Sequence, residues 1–274
     1  MRAAVLQMTS GIDPAANART LTNAVRVAAD EGAAMLFTPE MSGLLDRDRS
    51  RAAAAITSEA DDAVLAAVRD AAARWGMWVH LGSLAVRRDD GQLANRGFVI
   101  DAAGAIRARY DKLHLFDVDL PGGESWRESA AYRRGEAAVV VDTPVGVLGL
   151  SICYDLRFAE LYRALSDAGA TVFSVPAAFT RRTGAAHWHV LLRARAIESA
   201  AFVIAAAQTG AHADGRETYG HSLVIDPWGD VLCDMGETAG LSFTDLGSGR
   251  LADVRQRIPV LAHRRGIPPV TVVS

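Results

Sequence analysis

Apolar positions along this chain follow two periods. Short runs in which nearly every side chain is apolar, at residues 3–8, 34–38, 77–82, 97–101 and 106–110, read as strands buried within a sheet. Between them, residues 17–30 and 60–74 are predicted as helices; Val64, Leu65, Val68 and Ala72 mark one apolar face of the second. The pattern then repeats, with strands expected at 138–142, 147–152, 171–175 and 202–208 and helices at 157–168 and 185–199. Residues 222–226 and 231–234 form a hairpin-like pair around Pro227-Trp228-Gly229, and the Gly-, Pro- and Ser-rich stretch 117–135 reads as a loop. Strands alternating with helices define a layered α/β domain. Nothing resembles a linker, so residues 1–250 are predicted as one domain. Residues 251–274 read as a C-terminal extension with a prolyl tail, placed at a subunit interface.

Composition narrows the function. Half of the 274 residues are apolar, enough for a core without disulfides or a structural metal. The net charge of −3 with no block of like charge argues against a nucleic-acid partner. No apolar run reaches membrane-spanning length, and the first ten residues read as a strand rather than a secretory signal, so a soluble cytoplasmic protein is expected. The two cysteines are read as free thiols, with Cys233, mid-strand beside Leu232, assigned to packing. The sharpest feature is that 29 basic residues include a single lysine, Lys112. Arginine replaces lysine at surfaces and ion pairs, but not where a compact ammonium is required.

Ligands of open α/β sheets gather beyond the carboxyl ends of strands. Glu40, Lys112 and Cys153 all follow predicted strands. Cys153 stands where a strand turns into a helix, so a lowered thiol pKa is expected from the helix dipole, and the Tyr154 amide is placed to meet an oxyanion. A buried, inert cysteine explains that segment equally well. A serine nucleophile does not, because Cys153 occupies the last glycine of the elbow that Gly149-Leu150-Ser151 begins. Glu40 closes an apolar strand, where burial is expected to raise its pKa toward neutrality and suit it to general-base work; a water-facing glutamate is the alternative. Glu128 is a candidate second carboxylate. His187 and His189 are two apart and face different sides of a helix, and no HExxH or CxxC pattern exists, so no metal site is predicted. A Cys–His hydrolase using His187 or His221 is the nearest rival.

Three separated motifs in order, PE at 39–40, YDKLHLFD at 110–117 and ICYDLRF at 152–158, resemble the nitrilase superfamily of carbon–nitrogen hydrolases. The resemblance implies a four-layer α-β-β-α sandwich, no cofactor, and a homodimer or larger homo-oligomer. It implies a Glu40–Lys112–Cys153 triad that opens a linear amide through a thioester, with the Tyr154 amide at the oxyanion. FTRRTGAAHW at 179–188 and LLRARAIE at 191–198 resemble the branch acting on small omega-amides. AQTGAH at 207–212, YGHS at 219–222, and IPV at 258–260 followed by HRR at 263–265 resemble deaminated-glutathione amidases. The expected reaction is therefore hydrolysis of deaminated glutathione to 2-oxoglutarate and cysteinylglycine. An omega-amidase of 2-oxoglutaramate is the alternative, and an inactive binding protein on the same fold a remote one. Phe179, Arg182 and Thr183 are predicted to contact the substrate, the arginine through its carboxylate. Two positions depart from the family pattern: Ala159 replaces a helix-opening proline, and Arg181-Arg182 replaces uncharged residues.

Overall fold

The computed structural model describes residues 1–119, 123 and 125–273, so parts of the expected loop (120–122 and 124) and the last residue of the extension lie outside the described residues. The first half of the chain runs β1 (Arg2–Gln7), α1 (Pro14–Asp30), β2 (Met35–Phe37), α2 (Arg49–Ala55), α3 (Ala63–Trp75), β3 (Trp78–Arg87), β4 (Leu93–Ile100) and β5 (Ile106–Asp111). A short antiparallel pair, β6 (Asp117–Asp119) and β7 (Ser125–Arg127), occupies the segment predicted as loop. The second half follows with β8 (Val140–Thr143), β9 (Gly146–Leu150), a 3-10 turn at Cys153–Arg157, α4 (Ala159–Asp167), β10 (Val172–Ser174) and α5 (Arg181–Ser199). It closes with β11 (Phe202–Ala205), β12 (Thr209–Ala211), β13 (Glu217–Tyr219), β14 (Leu223–Ile225), β15 (Val231–Asp234), β16 (Gly240–Asp245) and α6 (Arg250–Arg257).

The period-two pattern decides how these layers stack. Along β1, Ala4 and Leu6 face a core shared with Leu21 and Val25 of α1 and Leu65 and Val68 of α3. Ala3 and Val5 point the other way, into a core with Leu150, Phe173 and Val203. β2 does the same, with Leu36 on the helix side and Met35 and Phe37 on the sheet side. A strand whose two faces are both covered must be apolar throughout, which is why these runs lack alternation. The first sheet has the order β16-β1-β2-β3-β4-β5 and the second β15-β14-β11-β10-β9-β8. Leu161 and Leu165 of α4 and Trp188 and Leu192 of α5 cover the outer face of the second. The result is the expected α-β-β-α sandwich.

Caps fix the helix limits. Asp13, Asp62 and Thr180 accept backbone N–H groups at the starts of α1, α3 and α5, and Gly76 ends α3 at φ 63°. α4 opens at Ala159 with no side-chain cap, so the helix forms there without the family's proline. The expected helix from 157 is split: a 3-10 turn precedes it and Phe158, in extended conformation, separates the two. α6 extends past residue 250, so the predicted boundary falls at its first residue. The following segment lies back on α4 and α5, where Arg264 pairs with Asp167 and Arg163 donates to the Arg265 carbonyl.

One irregularity serves the site directly. β3 continues through Gly82, where the sequence suggested an end, and bulges between Leu81 and Leu84. Gly82 N–H donates to Thr38 Oγ1 and Ser83 Oγ accepts from Met41 N–H at 2.9 Å, so the bulge supports the Pro39–Glu40 turn from both sides. A β-carbon at Gly82 would collide with the Thr38 carbonyl oxygen and sit 2.6 Å from Pro176 Cβ. Gly82→Ala is therefore expected to destabilise the fold by about 3 kcal/mol, since backbone cannot yield as a side chain does; urea unfolding of the variant checks this, and an unchanged midpoint would refute it.

Candidate active site

Lys112 follows β5 and is buried, and its environment explains why a lysine stands there. Its Nζ donates to Glu40 Oε1 at 2.9 Å and to Glu128 Oε1 and Oε2 at 3.1 and 2.9 Å. The ammonium thus bridges two carboxylates from chain segments far apart in sequence. Asn95, on β4, donates from Nδ2 to both acids, at 2.8 Å to Glu40 and 3.1 Å to Glu128. Glu40 Oε2 accepts from Ala178 N–H at 2.9 Å, and Glu128 Oε2 accepts from Phe116 N–H at 2.7 Å. Cys153 lines the same cavity as Glu40, Lys112 and Glu128, and the charges of Glu40 and Lys112 act on its thiol. Glu40, Lys112, Cys153 and Glu128 therefore meet in one place.

The turn carrying Cys153 is strained and tightly held. Cys153 has φ 49° and Met41, next to Glu40, has φ 53°, a left-handed conformation that non-glycine residues adopt at a cost of about 1–3 kcal/mol. Asp155, fully buried, holds the first of these turns in place. Its carboxylate accepts from Ile152 N–H at 2.9 Å, Tyr110 OH at 2.7 Å and His114 N–H at 2.9 Å, and His114 Nδ1 lies 2.7 Å away. Tyr110 and His114 flank Lys112 by two residues, so one carboxylate fixes the lysine-bearing strand end to the nucleophile turn. From the other side, buried Arg195 donates twice to the Leu156 carbonyl, at 3.0 and 2.8 Å.

The electrostatics correct two expectations. Burial acts to raise the Glu40 pKa, but the Lys112 charge and hydrogen bonds from Lys112, Cys153 and Asn95 outweigh it, leaving it below its ordinary value of 4.5. Burial and the Glu40 charge push the Cys153 thiol well above 9.0, against the opposing pull of Lys112 and of Ala178 N–H. The short 3-10 turn does not reverse that order. For Lys112, burial alone would lower the pKa, yet Glu128 and Glu40 hold it well above 10.5. The resting state is a neutral thiol beside an ionised glutamate and an ammonium.

These groups line a cavity of about 700 Å³. Tyr154, Phe179 and Thr183 line it as well. Phe179 is backed by Trp188 at a ring-centroid distance of 4.8 Å, and Thr183 Oγ1 is bonded to Thr180 Oγ1 at 2.9 Å. Arg182 does not line it and is exposed on α5, because at the start of that helix Thr183 and Gly184 turn inward instead. The cavity instead meets Arg47, Arg49, Arg127 and Arg216, which the sequence reading did not single out. Arg47 and Arg216 lie over the Trp126 ring, at 6.0 and 5.3 Å from its centroid. Arg127 pairs with Asp119 and Arg216 with Asp214; the Arg47 backbone N–H donates to Asp214 Oδ2 at 2.9 Å, and among the described residues neither the Arg47 nor the Arg49 guanidinium is paired to a carboxylate. The histidines of the rival reading lie elsewhere: His187 Nδ1 is 3.2 Å from Arg157, and His221 Nδ1 is 2.9 Å from Asp234. Cys233 faces Ser242 Oγ at 3.1 Å.

A buried Glu–Lys–Cys cluster at the strand ends of an α-β-β-α sandwich defines a hydrolase of carbon–nitrogen bonds, and the chain belongs to the carbon–nitrogen hydrolase family, which it matches over residues 2–256. It is 40% identical over 266 residues to the nitrilase and fragile histidine triad fusion protein NitFhit of Caenorhabditis elegans, covering 96% of this chain but 60% of that longer protein. The crystal structure of NitFhit superposes with a TM-score of 0.89 at 39% identity, over 96% of this chain and 65% of that one. A deaminated glutathione amidase of Synechocystis sp. is 41% identical over 268 residues, covering 96% of this chain and 97% of its own. A variant of the Nesterenkonia sp. AN1 amidase, showing Michael addition of acrylamide at its active-site cysteine, aligns at 29% identity with a TM-score of 0.79, over 94% of this chain and 98% of that one.

Replacing Asp155 by Asn removes a charged acceptor and sets an amide N–H against buried donors. A loss of about 2–4 kcal/mol is expected in guanidinium unfolding, with about 1 kcal/mol for Tyr110→Phe. Equal stabilities for Asp155→Asn and the parent would show that the carboxylate does not hold the turn.

Proposed function

We propose that the chain hydrolyses a small carboxylate-bearing linear amide through a Cys153 thioester, with deaminated glutathione as substrate. The observation that supports this best is a buried, ionised Glu40 bonded to Lys112 and lining one cavity with the neutral Cys153 thiol. Glu40 takes the Cys153 proton as sulfur attacks the amide carbonyl. The charge on the carbonyl oxygen is met by Lys112 and the Tyr154 N–H, which leads the 3-10 turn without a partner inside it. Glu40 returns the proton to the departing amine, cysteinylglycine, leaving a 2-oxoglutaryl thioester. Water then gives its proton to Glu40 and attacks; the thiol is restored and 2-oxoglutarate leaves. Glu128 keeps the ammonium from collapsing onto Glu40 alone. Phe179 and Thr183 shape the acyl side of the pocket.

The substrate reading rests on its two carboxylates and on relatives that carry the name deaminated glutathione amidase at 37–41% identity over nearly the whole chain. Arg47 and Arg49, unpaired with any described carboxylate at the cavity mouth, supply the complementary charge. An omega-amidase of 2-oxoglutaramate uses the same machinery, with ammonia as the leaving group. A homodimer or larger homo-oligomer and a cytoplasmic location complete the proposal. Exposed Val190 and Ile197 on α5 support self-association, and no helix among the described residues is long and apolar enough to cross a membrane.

Intact-mass measurement of the parent chain, acid-quenched during turnover of deaminated glutathione, is expected to show a 2-oxoglutaryl adduct on Cys153 that is lost in Glu40→Gln and in Cys153→Ala. No adduct and no turnover of deaminated glutathione, together with full activity toward another amide, would replace the substrate. Lys112→Arg is expected to lose at least about 10³-fold in kcat while staying folded, because a planar guanidinium cannot sit between two carboxylates and an oxyanion as an ammonium does; retained activity would favour a Cys–His mechanism.

The pH dependence follows from the two corrected directions. Glu40 has a lowered pKa, so its base form persists as pH falls through 4.5 and is lost only below that. The Cys153 thiol has a raised pKa and stays protonated as pH rises through 9.0. For kcat/KM this predicts a plateau from about pH 5 to about pH 9 with an acid limb below the ordinary carboxylate range; a half-maximum near neutrality would contradict the assignment. Arg47→Ala is expected to raise KM about tenfold with little change in kcat, the signature of lost uniform binding to a substrate carboxylate.

A further inference from the structure

Away from the hydrolytic cavity, three side chains from three elements converge. His189 projects from α5, His221 lies just before β14, and Asp234 ends β15. One ligand-capable atom from each lies within 4.8 Å of the other two. His189 Nε2 is 3.0 Å from Asp234 Oδ2, and His221 Nδ1 is 2.9 Å from Asp234 Oδ1. Spacing along the helix did not suggest this group, because the partners of His189 come from the hairpin rather than from His187.

We propose that His189, His221 and Asp234 bind a divalent transition-metal ion, of which zinc is the representative. Two imidazole nitrogens and one carboxylate form a borderline donor set that favours such an ion over magnesium or calcium. The donors are held before any ion arrives. His221 adopts φ 53°, its ring stacks on Tyr219 at 4.4 Å and 23°, and its carbonyl accepts from Trp188 Nε1 at 2.7 Å. Asp234 Oδ1 accepts from Gly236 N–H at 2.9 Å, which sets the carboxylate plane. The three side chains are a fifth to a third exposed, which leaves an approach for a hydrated ion and room for water to complete its coordination.

The donor separations suit the ion. Ligands about 2.0–2.1 Å from a tetrahedral zinc stand about 3.3–3.4 Å apart; the His–Asp pairs, on opposite oxygens of the carboxylate, lie at 3.0 and 2.9 Å, and the three donors fall within 4.8 Å of one another, so side-chain rotation closes them on one ion. In the ion's absence the imidazole N–H groups donate to the carboxylate; on binding, the ion takes the place of those protons. It would tie α5 to the β14–β15 hairpin.

The test uses a tag-free Cys153→Ala chain, which removes the reactive thiol as a competing zinc ligand. Calorimetric titration with zinc chloride is expected to give one ion per chain. His189→Ala and Asp234→Asn, each made in that background, are expected to weaken binding by at least about tenfold. Cobalt(II) should give visible bands of nitrogen and oxygen ligation without a thiolate charge-transfer band, which excludes Cys233 as the donor. Circular dichroism in chelator confirms that the variants are folded. Asp234→Asn preserves side-chain shape and the acceptor for Gly236, so it reads out binding if the helix substitution disturbs the fold. No zinc uptake, uptake unchanged by both substitutions, or a thiolate band would overturn the proposal.

Discussion

Lys112 carries a full positive charge into a place where its side chain is 2% exposed, and the site is organised around that fact. An isolated ammonium there would shed its proton or unfold its surroundings. Two carboxylates prevent this, and in turn each is tolerable only because the ammonium lies between them. Withdrawing the lysine would leave Glu40 and Glu128 buried without compensation, a loss of about 3–5 kcal/mol in comparable buried pairs. The same attraction that makes the cluster stable at all also keeps Glu40 ionised. A base is thereby held ready beside a thiol that is not yet an anion.

Such a cluster requires the two halves of the sandwich to be registered to within a hydrogen bond. Glu40 and Lys112 end strands of the first sheet, while Cys153 ends β9 of the second. Two links between the sheets enforce this. The Asp155 carboxylate binds Tyr110 and His114 across the gap, and Ala178 N–H, following β10, reaches Glu40 Oε2. With the sheets fixed in this way, the positive φ of Cys153 and Met41 persists, because relaxing either turn would break several hydrogen bonds at once.

The parts of the site legible in the sequence were those marked by local pattern. Glu40, Lys112 and Cys153 each follow a run of apolar residues, and the only lysine in an arginine-rich chain is conspicuous by itself. Asn95 was not legible, since an asparagine inside β4 looks like any polar residue until two acids arrive from elsewhere. Arg47 and Arg49 were hidden because α2 and its approach are short and polar, with no periodicity to assign a face. β16 was missed for a similar reason: Leu241 and Phe243 become strand residues by pairing with β1, a partner more than two hundred positions away. The direction of the Glu40 shift failed as a prediction because burial is visible locally, whereas the Lys112 charge that outweighs it is set by the tertiary structure. The Cys153 direction failed because the helix-end argument left out burial, the largest cause, and the Glu40 charge.

Charge is layered along the cavity in a way that bears on how a substrate enters. At the floor, two carboxylates outnumber the one ammonium; further out, Arg47, Arg49, Arg127 and Arg216 outnumber Asp46 and Glu217 on the lining, and the Arg47 and Arg49 guanidinium groups pair with no described carboxylate. A carboxylate driven to the floor would meet Glu40 and Glu128 at short range in a medium that screens poorly, where like charges repel strongly. At the mouth it gains a guanidinium fork instead. In the proposed reaction this distribution favours a molecule whose charges lie outward and whose neutral amide lies toward Cys153. It likewise admits neutral water to the proposed thioester, since water carries no charge for the floor to reject. Selection of the substrate and tolerance of the second reactant thus follow from one distribution of charge, whose inner half is the cluster that Lys112 holds together.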